Sequence, residues 1–210
     1  MQRNDAIRRL KQLIGKDLRQ LADSYGITVW KCGKKNKGWA GHVIERYLGL
    51  PLNVAQAPNF GSWELKIVPL KVGRDGKLRV KETMAITMID PYNVVTTPFE
   101  RSHLLAKLQK AVICARVFES PDESRSLLFK VATFDLSDPQ IYSRVRHDYE
   151  LVRRIIKEKG FDALTGKMGI LVQPRTKGKG HGSTTRAFYA RKHFVAAMLG
   201  LPSYQASVTL

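Results

Sequence analysis

What this chain lacks narrows its chemistry first. Its two cysteines, Cys32 and Cys114, are too few for a disulfide framework and sit at no zinc-ligand spacing, so both are read as reduced and structural. No apolar run approaches the roughly 18 residues that a membrane-spanning helix needs. The N-terminus, Met1-Gln2-Arg3-Asn4-Asp5, lacks the apolar stretch of a secretion signal, so a cytoplasmic location is expected. There is no internal repeat and no low-complexity tract. Acidic side chains are scarce: 18 Asp and Glu stand against 36 Lys and Arg, a formal net charge of +18 over 210 residues. An excess of that size repels itself unless a polyanion offsets it. Nucleic acid is the first candidate partner, and an anionic membrane surface is its rival.

What is present is an alternation of helical and strand periodicities. Ile7, Leu10, Leu13 and Ile14 recur at helical spacing up to Gly15, and Leu18, Leu21, Ala22 and Tyr25 do so up to Gly26. The lysine-rich turn Lys31 to Gly38 opens onto a helix from Trp39 to Leu48. It reads equally as a solvated loop or as a phosphate-binding helix entrance. Glu45 lies at the edge of that helix's apolar stripe, where an acid is read as a surface residue. A strand from Trp63 to Leu70, a turn at Gly73 to Gly76 and a strand from Leu78 through Ile89 read as a hairpin broken by Asp90-Pro91. A helix over His103 to Gln109 and a strand pair, Ala111 to Phe118 and Leu127 to Phe134, follow. Asp138-Pro139 then opens a long amphipathic helix with Ile141, Val145, Tyr149, Val152 and Ile156 on one face. The last third predicts a strand from Met168 to Gln173, a glycine-rich basic loop from Thr176 to Thr185, and Ala187 to Phe194, where aromatics interleave with cations.

The stretch Asn59-Phe60-Gly61-Ser62-Trp63-Glu64-Leu65-Lys66 reads as a turn running into a strand. Alternation puts Glu64 and Lys66 on one face and sends Leu65 into the core. A carboxylate that holds Mg²⁺ beside an ammonium group that orients or deprotonates water is what phosphodiester hydrolysis requires. Glu-x-Lys is a short motif, and a strand with a solvated face is its alternative reading.

Four ordered blocks carry a family resemblance: Lys37 to Gly41 through Glu45 and Leu48-Gly49; Asn59-Phe60 through Glu64-Leu65-Lys66 with Pro69; Ser102-His103 through Lys107-Leu108; and Gln173-Pro174-Arg175 with Phe188-Tyr189 to Phe194. In these the chain resembles the MutH mismatch-repair endonucleases and related type II restriction enzymes, including Sau-type enzymes that cut GATC. The resemblance implies a PD-(D/E)XK nuclease fold, an α/β (α+β) architecture with a mixed β-sheet flanked by helices and two arms forming a DNA cleft. A single domain over 1–210 is expected, with a catalytic arm at 1–135 and a DNA-recognition arm at 136–210. By position, Asn59 and Glu64 match the metal-binding pair, Lys66 the catalytic lysine, Glu45 the helix acid of the same site and Lys107 a lysine near the scissile phosphate. Glu45 is thereby reassigned from the surface to the site. Gln173, Pro174, Arg175 and Tyr189 match the base-reading positions. Backbone contacts are expected from Lys35, Lys37, Lys177, Lys179, Arg186 and Lys192.

Two positions depart from the pattern. The family has aspartate where this chain has Asn59, which keeps a carbonyl oxygen but brings no negative charge to a hard cation. It has arginine where this chain has Gln173, and glutamine suits adenine where arginine suits guanine. The expectation is a Mg²⁺-dependent, sequence-specific endonuclease of the type II restriction class acting on double-stranded DNA. It would be a monomer or homodimer with no membrane partner and no small-molecule cofactor, impaired by Asn59. The alternatives are a MutH-like mismatch-repair nicking enzyme and a non-catalytic DNA-binding domain. A basic peripheral membrane protein is a third, weaker reading.

Overall fold

The computed structural model of the chain describes residues 1–49, 61–178 and 185–201. Helices α1 (Arg3–Lys11) and α2 (Leu18–Ser24) bury Ala6, Leu10, Leu18 and Ala22. The Asp17 carboxylate caps α2 by accepting from the Arg19 N–H. Leu13 and Ile14 keep the helical spacing but lie in the turn beyond α1. The lysine-rich turn is a two-stranded hairpin, β1 (Trp30–Lys31) with β2 (Lys34–Lys35), whose tip residues Cys32 and Gly33 take φ of 48° and 71°. Helix α3 (Trp39–Leu48) follows and ends at Gly49, whose φ of 76° suits a glycine C-cap.

The remaining strands form two sheets. They are β3 (Glu64–Val72), β4 (Leu78–Val80), β5 (Met84–Ile89), β6 (Lys110–Val117), β7 (Leu128–Asp135), β8 (Val172–Thr176) and β9 (Arg186–Ala190). The first sheet has the order β4-β3-β6-β7, with β3 parallel to β6 and the outer pairs antiparallel. The second has the order β5-β9-β8, all antiparallel. Helices α4 (Pro91–Thr96), α5 (His103–Leu108), α6 (Pro139–Lys159) and α7 (Lys192–Met198) complete the order. This is the mixed, helix-flanked sheet of the restriction-endonuclease-like class.

Strands β3 and β6 are interior and buried on both faces, so each reads as a nearly continuous apolar run. Trp63 and Leu65 pack with α1, α2 and α3 in one core cluster, and Val68 and Leu70 join the other cluster with α4 to α7. Glu64 and Lys66 therefore stand at the N-terminal end of an otherwise apolar strand face.

Three boundaries differ from the sequence reading. The strand expected from Leu78 through Ile89 is two strands: β4 pairs with β3, and β5 leaves for the second sheet, because the polar triplet Lys81-Glu82-Thr83 interrupts the run. Asp90-Pro91 does not merely break a strand but starts α4, with Asp90 accepting from the Asn93 N–H and proline in the first turn. The strand expected from Met168 begins at Val172, because the N–H groups of Ile170, Leu171 and Val172 are taken by the Asp148 carboxylate. Pro174 lies inside β8 and is tolerated there because β8 is an edge strand.

Candidate active site

The centre of the site is the Glu64 carboxylate, only 1 % exposed. Its Oε1 receives the Lys66 ammonium at 2.7 Å and the Lys107 ammonium at 3.5 Å. Strand β3 supplies the first two side chains from one face. Helix α5, capped by Ser102 through the Leu105 N–H, supplies Lys107 from its last turn. Lys66 also donates to the Ile86 carbonyl at 3.4 Å, and Ile86 falls where the β5 register against β9 shifts. That bulge aims a carbonyl at the lysine and ties the second sheet to the Glu64–Lys66 pair. Burial lowers the Lys107 pKa below the ordinary lysine value; Glu64 opposes the shift, and Lys66 and Lys177 add to it.

Two depressions meet at Lys66. The smaller, of about 180 Å³, is lined by Glu45, Gly41, Leu65, Lys66, Glu82 and Arg116, so α3 brings Glu45 to the same lysine. The larger, of about 700 Å³, runs from Lys66 across Lys37, Lys81, Glu82 and Thr83 to Arg175, Tyr189 and Lys192. Five cations and one acid among its charged residues make it a groove suited to a polyanion. On its far wall the Arg175 guanidinium donates to Thr83 Oγ1 at 2.8 Å and lies 5.7 Å from the centre of the Tyr189 ring. Burial raises the Tyr189 pKa, with Arg175 opposing and Glu82 adding, so its hydroxyl stays protonated and able to donate.

A family model for the DNA mismatch repair enzyme MutH matches residues 48–141. Over 93 % of this chain and 92 % of its own length, the DNA mismatch repair protein MutH of Vibrio parahaemolyticus is 25 % identical. Its Klebsiella pneumoniae counterpart is 27 % identical over 90 % of this chain and 87 % of its own. That of Shewanella sp. strain MR-7 is 27 % identical over 93 % of both. The chain is thus similar to MutH proteins over nearly its whole length, and the matched family model spans the Glu64–Lys66 strand and Lys107.

The fold brings Glu64, Lys66 and Lys107 into contact and sets Glu45 in the pocket beside Lys66. Asn59 and Lys179 lie outside the described residues. A carboxylate oxygen is the donor type a hard divalent cation takes, and Glu64 fits such an ion as one ligand. Among the described residues no group of three or more His, Cys, Asp or Glu could hold a metal by itself.

Of the residues expected to contact DNA, Arg175, Tyr189, Lys37 and Lys192 line the larger groove. Gln173 does not: it is 5 % exposed, paired in register with Tyr189 and set deeper than the groove wall. Pro174 is buried as well. Lys177 is exposed and close enough for its charge to act on Lys107. Lys35 is ion-paired to the buried Glu123, which also binds Arg116 at 2.8 Å and the Trp39 indole N–H at 2.8 Å. Its charge therefore holds the hairpin against the sheet rather than standing open to a phosphate. Arg186 donates to the Asp162 carbonyl at 3.1 Å and lies over the Phe161 ring, away from the groove lining.

Residues that pattern-reading passed over also contribute. Lys81, Glu82 and Thr83 line the groove, and their signal was a polar triplet inside an apolar run. The buried Arg116–Glu123 pair was signalled by one arginine in a strand otherwise wholly apolar.

Proposed function

We propose that this chain is a MutH-like DNA endonuclease that hydrolyses phosphodiester bonds with a divalent cation, Mg²⁺ being the expected ion. The observation that carries the reading is the buried Glu64 carboxylate, ion-paired to Lys66 and Lys107, with Lys66 itself lining a cationic groove that also holds Arg175 and Tyr189. The relatives' description as mismatch repair proteins supports a repair-type nicking enzyme over the restriction-type expectation. A catalytic arm at 1–135 and a recognition arm at 136–210 follow the same reading, with β5 crossing from the first to join β9 of the second.

In this mechanism the duplex lies along the groove, its phosphates facing Lys37, Lys81 and Lys192. Lys66, held against Glu64, orients the attacking water. Lys107 stabilises negative charge on the scissile phosphate, and Glu45 fixes the field on the opposite side of Lys66. Glu64 with residue 59 would hold the metal ion, which when bound supplies Lewis-acid stabilisation of the phosphate oxygens. Asn59 offers that ion an amide oxygen in place of a carboxylate, so weak metal binding and slow turnover follow.

The test is plasmid cleavage in Mg²⁺ by the parent chain and by Asn59→Asp. The expected result is specific duplex binding by both, with site-specific cutting rising by orders of magnitude in the variant. Specific binding without cutting by either protein would leave a non-catalytic DNA-binding domain as the correct reading.

A further inference from the structure

The segment 166–171 between α6 and β8 has no helix or strand, yet its backbone is gripped from two sides. From α6, the Asp148 carboxylate, 1 % exposed, accepts the N–H groups of Ile170 and Leu171 at 2.7 Å and of Val172 at 2.8 Å. From the other side, the Arg191 guanidinium donates to four successive carbonyls: Gly166 at 3.2 Å, Lys167 at 3.1 Å, Met168 at 3.0 Å and Gly169 at 3.0 Å. Each charge is satisfied by backbone groups of one short loop. Gly169 takes φ of 76°, and a Cβ there would fall 1.9 Å from the Val172 carbonyl oxygen. Only glycine lets the loop turn this tightly into β8.

This clamp joins the two strands that face the groove. Val172, the last donor to Asp148, opens β8 three residues before Arg175. Arg191 follows β9 two residues after Tyr189, and its own N–H donates to the Leu171 carbonyl at 2.9 Å. We propose that Asp148 and Arg191 are positioning residues for sequence readout, holding Arg175 and Tyr189 at a fixed height over the groove. The inference rests on the DNA-binding function proposed above. Long lysines follow a shifted phosphate, but a base-edge contact must be held to within about 0.5 Å, so loosening the clamp removes discrimination before it removes affinity.

The experiment uses the full chain. Duplexes preferred by the parent are recovered from a randomised library. Asp148→Asn and Arg191→Gln are then compared with the parent for binding to a preferred duplex and to a random-sequence duplex across a range of salt. Each variant is expected to lose at least about tenfold in preference while keeping the affinity and salt slope for random-sequence duplex. Amide hydrogen exchange at Ile170, Leu171 and Val172 is expected to quicken in Asp148→Asn. Undiminished preference in the variants, or an equal loss of binding to both duplexes, overturns the inference. If Asp148→Asn does not fold, Arg191→Gln, whose side chain is only partly buried, decides the matter. A parent chain that selects no sequence overturns the proposed function and this inference with it. A parent that selects, beside variants that select equally well, overturns the inference alone.

Discussion

One oxygen of the buried Glu64 carboxylate holds both Lys66 and Lys107, so removing any of the three leaves the others in a changed field. Alternation along β3 put Glu64 and Lys66 on one face, and the 2.7 Å ion pair bears that out. Lys107, 41 positions past Lys66 in sequence, came from the resemblance and not from periodicity, because no local pattern encodes a contact between α5 and β3. Replacing Lys66 by alanine in the Asn59→Asp background should lower the cleavage rate by about 10²–10⁴-fold while duplex affinity stays, as measured by single-turnover cleavage and titration. Glu123 was missed because Lys35 and Trp39 lie more than 80 positions away, and Arg116, seven positions before it, meets it only once the chain turns between β6 and β7. Burial alone would raise its carboxyl pKa, but hydrogen bonds and charge from Arg116 and Lys35 outweigh it and hold it below the usual glutamate value. Its folded pKa thus lies below the unfolded one. The stability it contributes is present above the unfolded value and is lost as pH falls through the folded one. Glu123→Gln should cost about 3 kcal/mol in urea unfolding at neutral pH, the low end for a broken buried pair because Lys35 is partly exposed. The variant should also show a flatter loss of stability in acid.

At the scale of elements, helices with strong end signals were placed closely and strands at sheet crossings were not. Helix α6 begins where Asp138-Pro139 predicts, with the Asp138 carboxylate accepting from Gln140 at 2.8 Å and Ile141 at 3.0 Å. Asp138→Ala should therefore destabilise the fold by about 1 kcal/mol in urea titration and leave duplex binding unchanged. The split between β4 and β5 was hidden because hydrophobic pattern reports burial, not which sheet a strand joins. The late start of β8 was hidden for a different reason. Asp148 sits on the apolar stripe of α6 between Val145 and Val152, and nothing local says that it takes three backbone N–H groups from a segment more than twenty residues away. An acid on a buried helix face was nonetheless a readable sign that some backbone would have to come to it.

For the whole molecule, the charge of +18 was the first clue to a polyanionic partner, and the structure puts five cations in one groove with Lys66 at the junction of its two depressions. Lys81 and Lys192 line that groove. Replacing either with alanine should reduce the salt slope of random-sequence duplex binding by about one, without changing which sequence is preferred. Vesicles of anionic lipid should compete poorly with duplex at the same ionic strength. The most direct measurement is end-sequencing of plasmid DNA incubated in Mg²⁺ with Asn59→Asp, run beside the same variant carrying Glu64→Gln. Nicks at one recurrent sequence are expected in the first reaction and none in the second. Cutting that survives the loss of Glu64, or nicks scattered without regard to sequence, would contradict the proposed function.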